Sequence, residues 1–196
     1  MTFTVLPASA ERFEDVVTIL GPRCAGAQGC WCLSYRLGHA EESRVVGAQA
    51  RAAVMAALCR RQDHASGVLA HEGEQVVGWA AVAPRSELHE FRTVRRYRTG
   101  LGDDEDPWVL FCLRVRAGHG GKGVATALVE GAVDHAGSHG ATAVVGYPVD
   151  NRGERVDRTL ASVGTVAMFE RAGFVRVAEL GGRRAGHPQV LVRRDL

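Results

Sequence analysis

The sequence predicts an α/β (α+β) fold, a mixed sheet with helices on both faces. Three observations carry this. A strand-like run at 108–115 passes through a glycine-rich loop into an amphipathic helix, and a second strand follows at 141–149. This is a βαβ unit, which requires its two strands to be parallel. Runs at 66–71 and 75–83 are joined only by Glu72-Gly73-Glu74, the spacing of an antiparallel hairpin. A short helix at 165–172 ends at Gly173, and two closing strands follow, one opening at Phe174 and one over 189–194.

The remaining elements fit around these. Residues 3–6 read as a first strand stopped by Pro7. Ser9 is a suitable N-cap for a helix in which Phe13, Val16, Val17 and Leu20 recur at helical spacing before Gly21-Pro22. Residues 23–40 are rich in glycine, cysteine and aromatics and have no clear period, whereas a second helix is expected over 41–61. Residues 86–98 are charged and helical in character, and 101–107 form an acidic loop. In the helix after the glycine loop, Val124, Ala125, Leu128, Val129, Ala132, Val133 and Ala136 share one face, and Thr126, Glu130 and Asp134 point away.

The chain has 196 residues, the size of a single domain spanning 1–196, and a formal net charge of +2. That balance leaves no electrostatic footprint for nucleic acid. No apolar run approaches the ~20 residues that span a bilayer, and the first residues lack the character of a signal peptide. The five cysteines, an odd number, fit reduced thiols and a cytoplasmic location. Cys24, Cys30, Cys32 and His39 cluster but lack the C-x2-C knuckle of a structural zinc site. Thiols packed beside Trp31 and Tyr35 are the better reading, and no metal is expected.

The chemistry concentrates in Arg116-Ala117-Gly118-His119-Gly120-Gly121-Lys122-Gly123-Val124-Ala125-Thr126. Glycines let backbone amides approach a ligand, and a helix N-terminus favours negative charge, so a phosphate-bearing ligand is implied. A Walker loop fails because Lys122 is followed by Gly123 rather than Ser or Thr. A dinucleotide fingerprint matches literally at Gly118, Gly120 and Gly123, with Asp150 after the next strand. The rest of the chain offers too few parallel βα units for that fold.

The segment Gly120-Gly121-Lys122-Gly123-Val124-Ala125, between Leu113-Arg114-Val115 and a helix containing Ala127-Leu128, resembles the [QR]-x-x-G-x-[GA] loop of the GCN5-related N-acetyltransferases. Met168-Phe169-Glu170-Arg171-Ala172-Gly173-Phe174 resembles that family's short final helix and closing Gly-Phe, and the element order from residue 3 to 194 is similar. The resemblance implies a mostly antiparallel central sheet whose two parallel strands splay. It implies acetyl-CoA as cosubstrate, its pantetheine pairing with backbone groups of Leu113 and Val115. The pyrophosphate would rest on amides from Gly120, Gly121, Lys122, Gly123, Val124, Ala125 and Thr126. The activity it implies is acetyl transfer to a primary amine of a small molecule, amino acid or peptide. The expected partners are acetyl-CoA and that amine, without nucleic acid or membrane, and a homodimer is allowed.

Three positions depart from the pattern. Gly120 replaces the usual Gln or Arg, which removes a side chain but no backbone donor. Phe169 stands where many members carry the tyrosine that protonates the departing thiolate, and Ser162 aligns with an expected asparagine. Tyr147, near the end of the strand bordering the cleft, is the candidate replacement acid or else a packed strand tyrosine. Glu87, Glu90, Asp103 and Asp106 are candidate bases by chemistry only. Cys112 has no histidine partner in the sequence and reads as a core thiol. Acceptor selectivity is expected from 23–40, including Trp31, Tyr35 and Arg36, and from the stretch after Asn151. A non-catalytic acyl-CoA-binding protein is the alternative that Phe169 motivates.

Overall fold

A computed structural model describes residues 2–24, 26, 27, 29–102, 105–157 and 162–196. The strands are β1 (Thr4–Pro7), β2 (Gly67–Glu72), β3 (Gln75–Pro84), β4 (Trp108–Val115), β5 (Ala143–Gly146), β6 (Val175–Arg184) and β7 (His187–Asp195). They form one sheet in the order β1-β2-β3-β4-β5-β7-β6. Among the described residues every strand pairing is antiparallel except β4 with β5. The sheet is therefore mixed and mostly antiparallel. It is not the doubly wound parallel sheet of a dinucleotide fold, because β5 pairs next with antiparallel β7.

Strand β3 shows why helices are needed on both faces. Eight consecutive residues, 76–83, are buried, as in a strand covered from above and below. Trp79, Ala81 and Ala83 pack into a core with residues of α1 (Phe13–Leu20), α3 (Ala48–Cys59) and α4 (His89–Thr93). Val77, Ala80 and Val82 face the opposite core, built with α5 (Val124–Ser138) and α6 (Val166–Arg171). Helix α5 buries the apolar face expected of it, with Val124, Leu128, Val129, Ala132, Val133 and Ala136 all inside.

Three expectations change. The helix expected over 41–61 is two pieces, α2 (His39–Glu42) and α3, separated where Gly47 takes φ 88°. A left-handed residue cannot continue a right-handed helix. The charged stretch 86–98 becomes α4 flanked by two 3-10 turns. Strand β5 stops at Gly146 instead of reaching 149, and Val149 keeps only isolated bridges to Thr165 and Gln189. Pro148, which has no N–H to donate, lies between. No helix among the described residues is long and apolar enough to cross a membrane.

Candidate active site

The site begins with an irregularity in β4. Opposite β3, Cys112 pairs with Ala81 and Leu110 with Val82, so Phe111 is an extra residue. Such a bulge bends its strand, and here it also sends Phe111 and Cys112 into the same core. Pairing with β5 runs from Trp108↔Val144 to Leu110↔Gly146 and stops there. Beyond that point the strands part, and a cleft of about 640 Å³ lies between Leu113–Ala117 on one wall and Ser162, Gly164, Thr165 and Met168 on the other.

Backbone polarity along the cleft follows from alternation. The Arg116 amide donates to the Val77 carbonyl on β3, so the amides of Leu113 and Val115 face the opposite edge. Val115 thus presents its amide to the cleft. The Leu113 amide does not stay available, because it donates to the Ser162 carbonyl at 2.6 Å. The expectation that Leu113 offers a free backbone donor is corrected on this point.

The cleft opens toward the glycine loop. Gly118, Gly121 and Gly123 have φ of 83°, 79° and 92°, and Gly120 through Gly123 are exposed. A Cβ built on Gly118 or Gly121 would meet nothing within 4 Å, and one on Gly123 only the Phe3 ring at 3.9 Å. These glycines are therefore set by backbone conformation and not by crowding. Gly123 caps α5 with left-handed geometry, and the first bond back to it comes from the Ala127 amide. The amides of Val124, Ala125 and Thr126 lie in the first turn, where an α-helix has no internal acceptors for them. Among the described residues, Arg23, Arg114 and Arg116 line the cleft against one acid, Asp157. Exposed amides, a helix dipole and excess positive charge together suit a polyanionic ligand.

Side chains gather behind Ser162, which lines the cleft, and we take this cluster as its inner end. Arg184, at the end of β6, donates to the Tyr35 hydroxyl and, at 3.5 Å, to Ser162 Oγ. Tyr35 stacks on Phe91 with ring centroids 4.8 Å apart, and the Glu90 amide donates to the Tyr35 carbonyl. Burial pushes the Tyr35 hydroxyl above its ordinary value, opposed by the charge of Arg184. Burial likewise raises the Glu90 carboxyl, against the charges of Arg96 and Arg184. These contacts join residues up to 149 apart in sequence, and nothing local signals them.

Phe169 is fully buried and occupies the fork itself. A Cβ on Gly146 would lie 2.4 Å from its ring, and one on Gly164 would lie 3.0 Å from both Phe169 and Leu113. Two glycines thus let an aromatic ring sit where the strands diverge.

Tyr147 does not take the place expected of it. Its side chain is 1% exposed, its hydroxyl donates to the Tyr97 carbonyl at 2.8 Å, and its ring stacks on Phe91. Burial pushes that hydroxyl well up. It is a packed core tyrosine, and its assignment as general acid is corrected.

The candidate bases separate clearly. Burial would raise Glu87, but hydrogen bonds from His64 at 2.8 Å and Arg61 at 2.7 Å outweigh it and bring the carboxyl to about 2. Asp106 is engaged by the Ser86 amide and hydroxyl. Asp103 lies outside the described residues. Glu90 alone of the described candidates combines partial burial with a raised affinity for protons.

Comparison with known proteins agrees with this geometry. A sequence profile of the acetyltransferase (GNAT) family matches residues 35–174. No curated protein matches the sequence. Among solved structures, a histone acetyltransferase HPA2 and related acetyltransferase from Corynebacterium glutamicum superposes with a TM-score of 0.56 at 19% identity, covering 100% of this chain and 97% of that one. The polyamine N-acetyltransferase of Drosophila melanogaster, which forms N-acetylagmatine, gives 0.56 at 11% identity with full coverage of both chains. The yncA protein of Salmonella typhimurium, solved with its cofactor acetyl-CoA, gives 0.50 at 16% identity, covering 100% and 95%. The profile match over most of the chain, with the splayed parallel pair and its glycine loop, establishes that the chain belongs to the acetyltransferase (GNAT) family.

Proposed function

We propose that the protein moves an acetyl group from acetyl-CoA to a primary amine of a small molecule, amino acid or peptide by direct attack on the thioester. The observation that carries this reading is the parting of β4 from β5 at the bulge, beside a helix N-terminus reached through positive-φ glycines. Amides of residues 120–126 hold the pyrophosphate, and Arg23, Arg114 and Arg116 supply positive charge along the cleft. The Val115 amide pairs with the pantetheine arm.

At the inner end Glu90 accepts the proton of the amine, and burial, which raises its carboxyl, increases its affinity for that proton. Tyr35 replaces Tyr147 as proton donor to the leaving thiolate. Its hydroxyl is tied through Arg184 to Ser162, whose carbonyl caps the Leu113 amide. An acid must hold its proton until the transition state, and burial keeps the Tyr35 hydroxyl protonated. An α-amine, with a reference pKa near ~8, makes a lighter demand on a base than a lysine-like amine near ~10.4, which favours amino acids or peptides as acceptors.

Phe169 favours a second reading, an acyl-CoA-binding protein without turnover, because phenylalanine has no proton to give. Incubation with acetyl-CoA and a panel of amines, read as free CoA thiol, separates the two. Acetyl-CoA raises the melting temperature under both readings while NAD and ATP leave it unchanged, because ligands bound only by the native state stabilise it. Amine-dependent thiol release supports transfer. Stabilisation without release from any amine supports binding alone.

A further inference from the structure

Cys32 and Cys112 are 80 positions apart in sequence, yet their sulfur atoms lie 2.9 Å from each other. Both are buried, at 3% and 6% exposure, and neither has a role in the transfer described above. An S–S bond is about 2.05 Å long, so the sulfurs need to close by only ~0.9 Å. Trp31 and Cys32 have φ of 51° and 50°, two successive non-glycine residues in the left-handed region. Such backbone costs free energy and persists only where its surroundings impose it. Here it aims Cys32 at β4.

We propose that Cys32 and Cys112 are an oxidisable pair, joined by hydrogen peroxide into an intrachain disulfide that fastens the 30–38 segment to β4. The two thiols are not equivalent. Cys32 donates its S–H to Cys112. That hydrogen bond lowers the Cys112 thiol, against the effect of burial, and Arg114 and Arg184 add to the lowering. Cys32 is pushed the other way, first by the same bond and then by burial. Cys112 is therefore the attacking sulfur and Cys32 the resolving one.

In the first step the Cys112 thiolate attacks one peroxide oxygen. The O–O bond breaks, the sulfur becomes a sulfenic acid, and hydroxide leaves and takes up a proton to become water. In the second step the Cys32 sulfur attacks the Cys112 sulfur as the S–O bond breaks. The departing oxygen takes the Cys32 proton and leaves as a second water. Two thiols lose two electrons, and one peroxide is reduced to two waters. Peroxide is a small oxidant, and the Cys112 residue keeps 6% of its surface open to it. The other cysteines are placed differently. Cys24 is exposed, Cys30 lies 3.1 Å from the Ser34 hydroxyl, and burial raises the Cys59 thiol to about 11.

The bond would act on the inner end of the cleft, because Tyr35, three residues beyond Cys32, holds Arg184 and stacks on Phe91. Closing a loop of this span also restricts the unfolded chain, so oxidation should raise the melting temperature.

The test treats the intact protein with hydrogen peroxide, alkylates the denatured chain, and maps its peptides by mass spectrometry. The expected result is equal loss of alkylation at Cys32 and Cys112, a linked peptide lacking two hydrogens, and recovery of both thiols with dithiothreitol. The melting temperature should rise in the parent but not in Cys32→Ser or Cys112→Ser, each measured against its own untreated sample. Continued alkylation of both residues, linkage to Cys24, Cys30 or a second chain, or a rise that persists in Cys112→Ser would overturn the proposal. If Cys112→Ser fails to fold, Cys32→Ser with peptide mapping alone still decides. Cys112 should then trap as a sulfenic acid with dimedone, and a Cys112 that stays unlabelled would also overturn it.

Discussion

The two ends of the cleft are built in opposite ways. The glycine-loop end consists of main chain: exposed residues 120–123, three positive-φ glycines and the first turn of α5. The inner end joins separate segments through side chains, with Arg184 bonding the Tyr35 hydroxyl and Ser162 Oγ, and Glu90 tied to Tyr35 by a backbone hydrogen bond. A main-chain site depends on conformation, so most side chains in it are interchangeable and a few glycines are not. A side-chain site depends on identity and on partners placed by the whole fold. The first can hold a common cosubstrate while the second varies with the acceptor.

Substitutions at the inner end should have the largest effects on rate. Glu90→Gln should lower kcat/KM by roughly 10²–10⁴-fold, the usual contribution of a general base, with acetyl-CoA affinity unchanged. The ionised carboxylate is the active form and its pKa is raised, so activity in the parent should fall as pH drops through that raised value. The variant should lose this acid limb, and stopped-time assays across pH would show it. A limb that persists in Glu90→Gln would assign the base elsewhere.

Gly123→Val tests the main-chain end. The new Cβ meets no closer atom than the Phe3 ring at 3.9 Å, but valine is strained at φ 92°. Turning away two amides that bond a charged phosphate, at about 1.5–3 kcal/mol each, predicts a loss of affinity of roughly 100-fold or more. Titration calorimetry would measure this, with circular dichroism expected to show an intact fold. Unchanged affinity would mean that the pyrophosphate lies off this loop.

Between the two ends, Gly146→Ala should destabilise by about 1–3 kcal/mol, because a methyl 2.4 Å from the Phe169 ring overpacks the fork. Phe169→Leu in the same chain should recover part of that loss in urea unfolding. Tyr147→Phe should have the smallest effect on rate. It removes one buried hydrogen bond, costing about 1–3 kcal/mol at most through the unpaired Tyr97 carbonyl, and leaves kcat as in the parent. A large fall in kcat would return Tyr147 to the chemistry.

The same contrast explains what could be read from the sequence. The glycine loop, the buried run of β4 and the apolar face of α5 are local patterns, and each lies where the residues predicted. The bulge at Phe111 leaves no such trace, because it is a matter of register against β3 and not of residue type. The place of Tyr147 is hidden for a related reason. Its strand ends one residue before it, and the ring turns into the core beside Phe91. Only contacts 50 residues away, such as that with Tyr97, decide this. The Arg184–Tyr35 contact is further still from anything periodic. Gly146 does carry a local signal, because a glycine inside a strand marks the close approach of another group.

The hydrogen bond from the Leu113 amide to the Ser162 carbonyl makes the protein an internal competitor for its own ligand. Any carbonyl that arrives at this amide enters an exchange, and its net gain is the difference between two similar bonds. That difference is smaller than the roughly 0.5–1.5 kcal/mol of a typical net hydrogen bond. On the proposed reading, affinity therefore comes mainly from the phosphates at the far end of the cleft. A ligand whose carbonyl reproduces the geometry of a peptide displaces Ser162 with little penalty. One that lacks such a carbonyl leaves the native pairing intact, so this point of the cleft confers tolerance and leaves discrimination to the side chains beyond it.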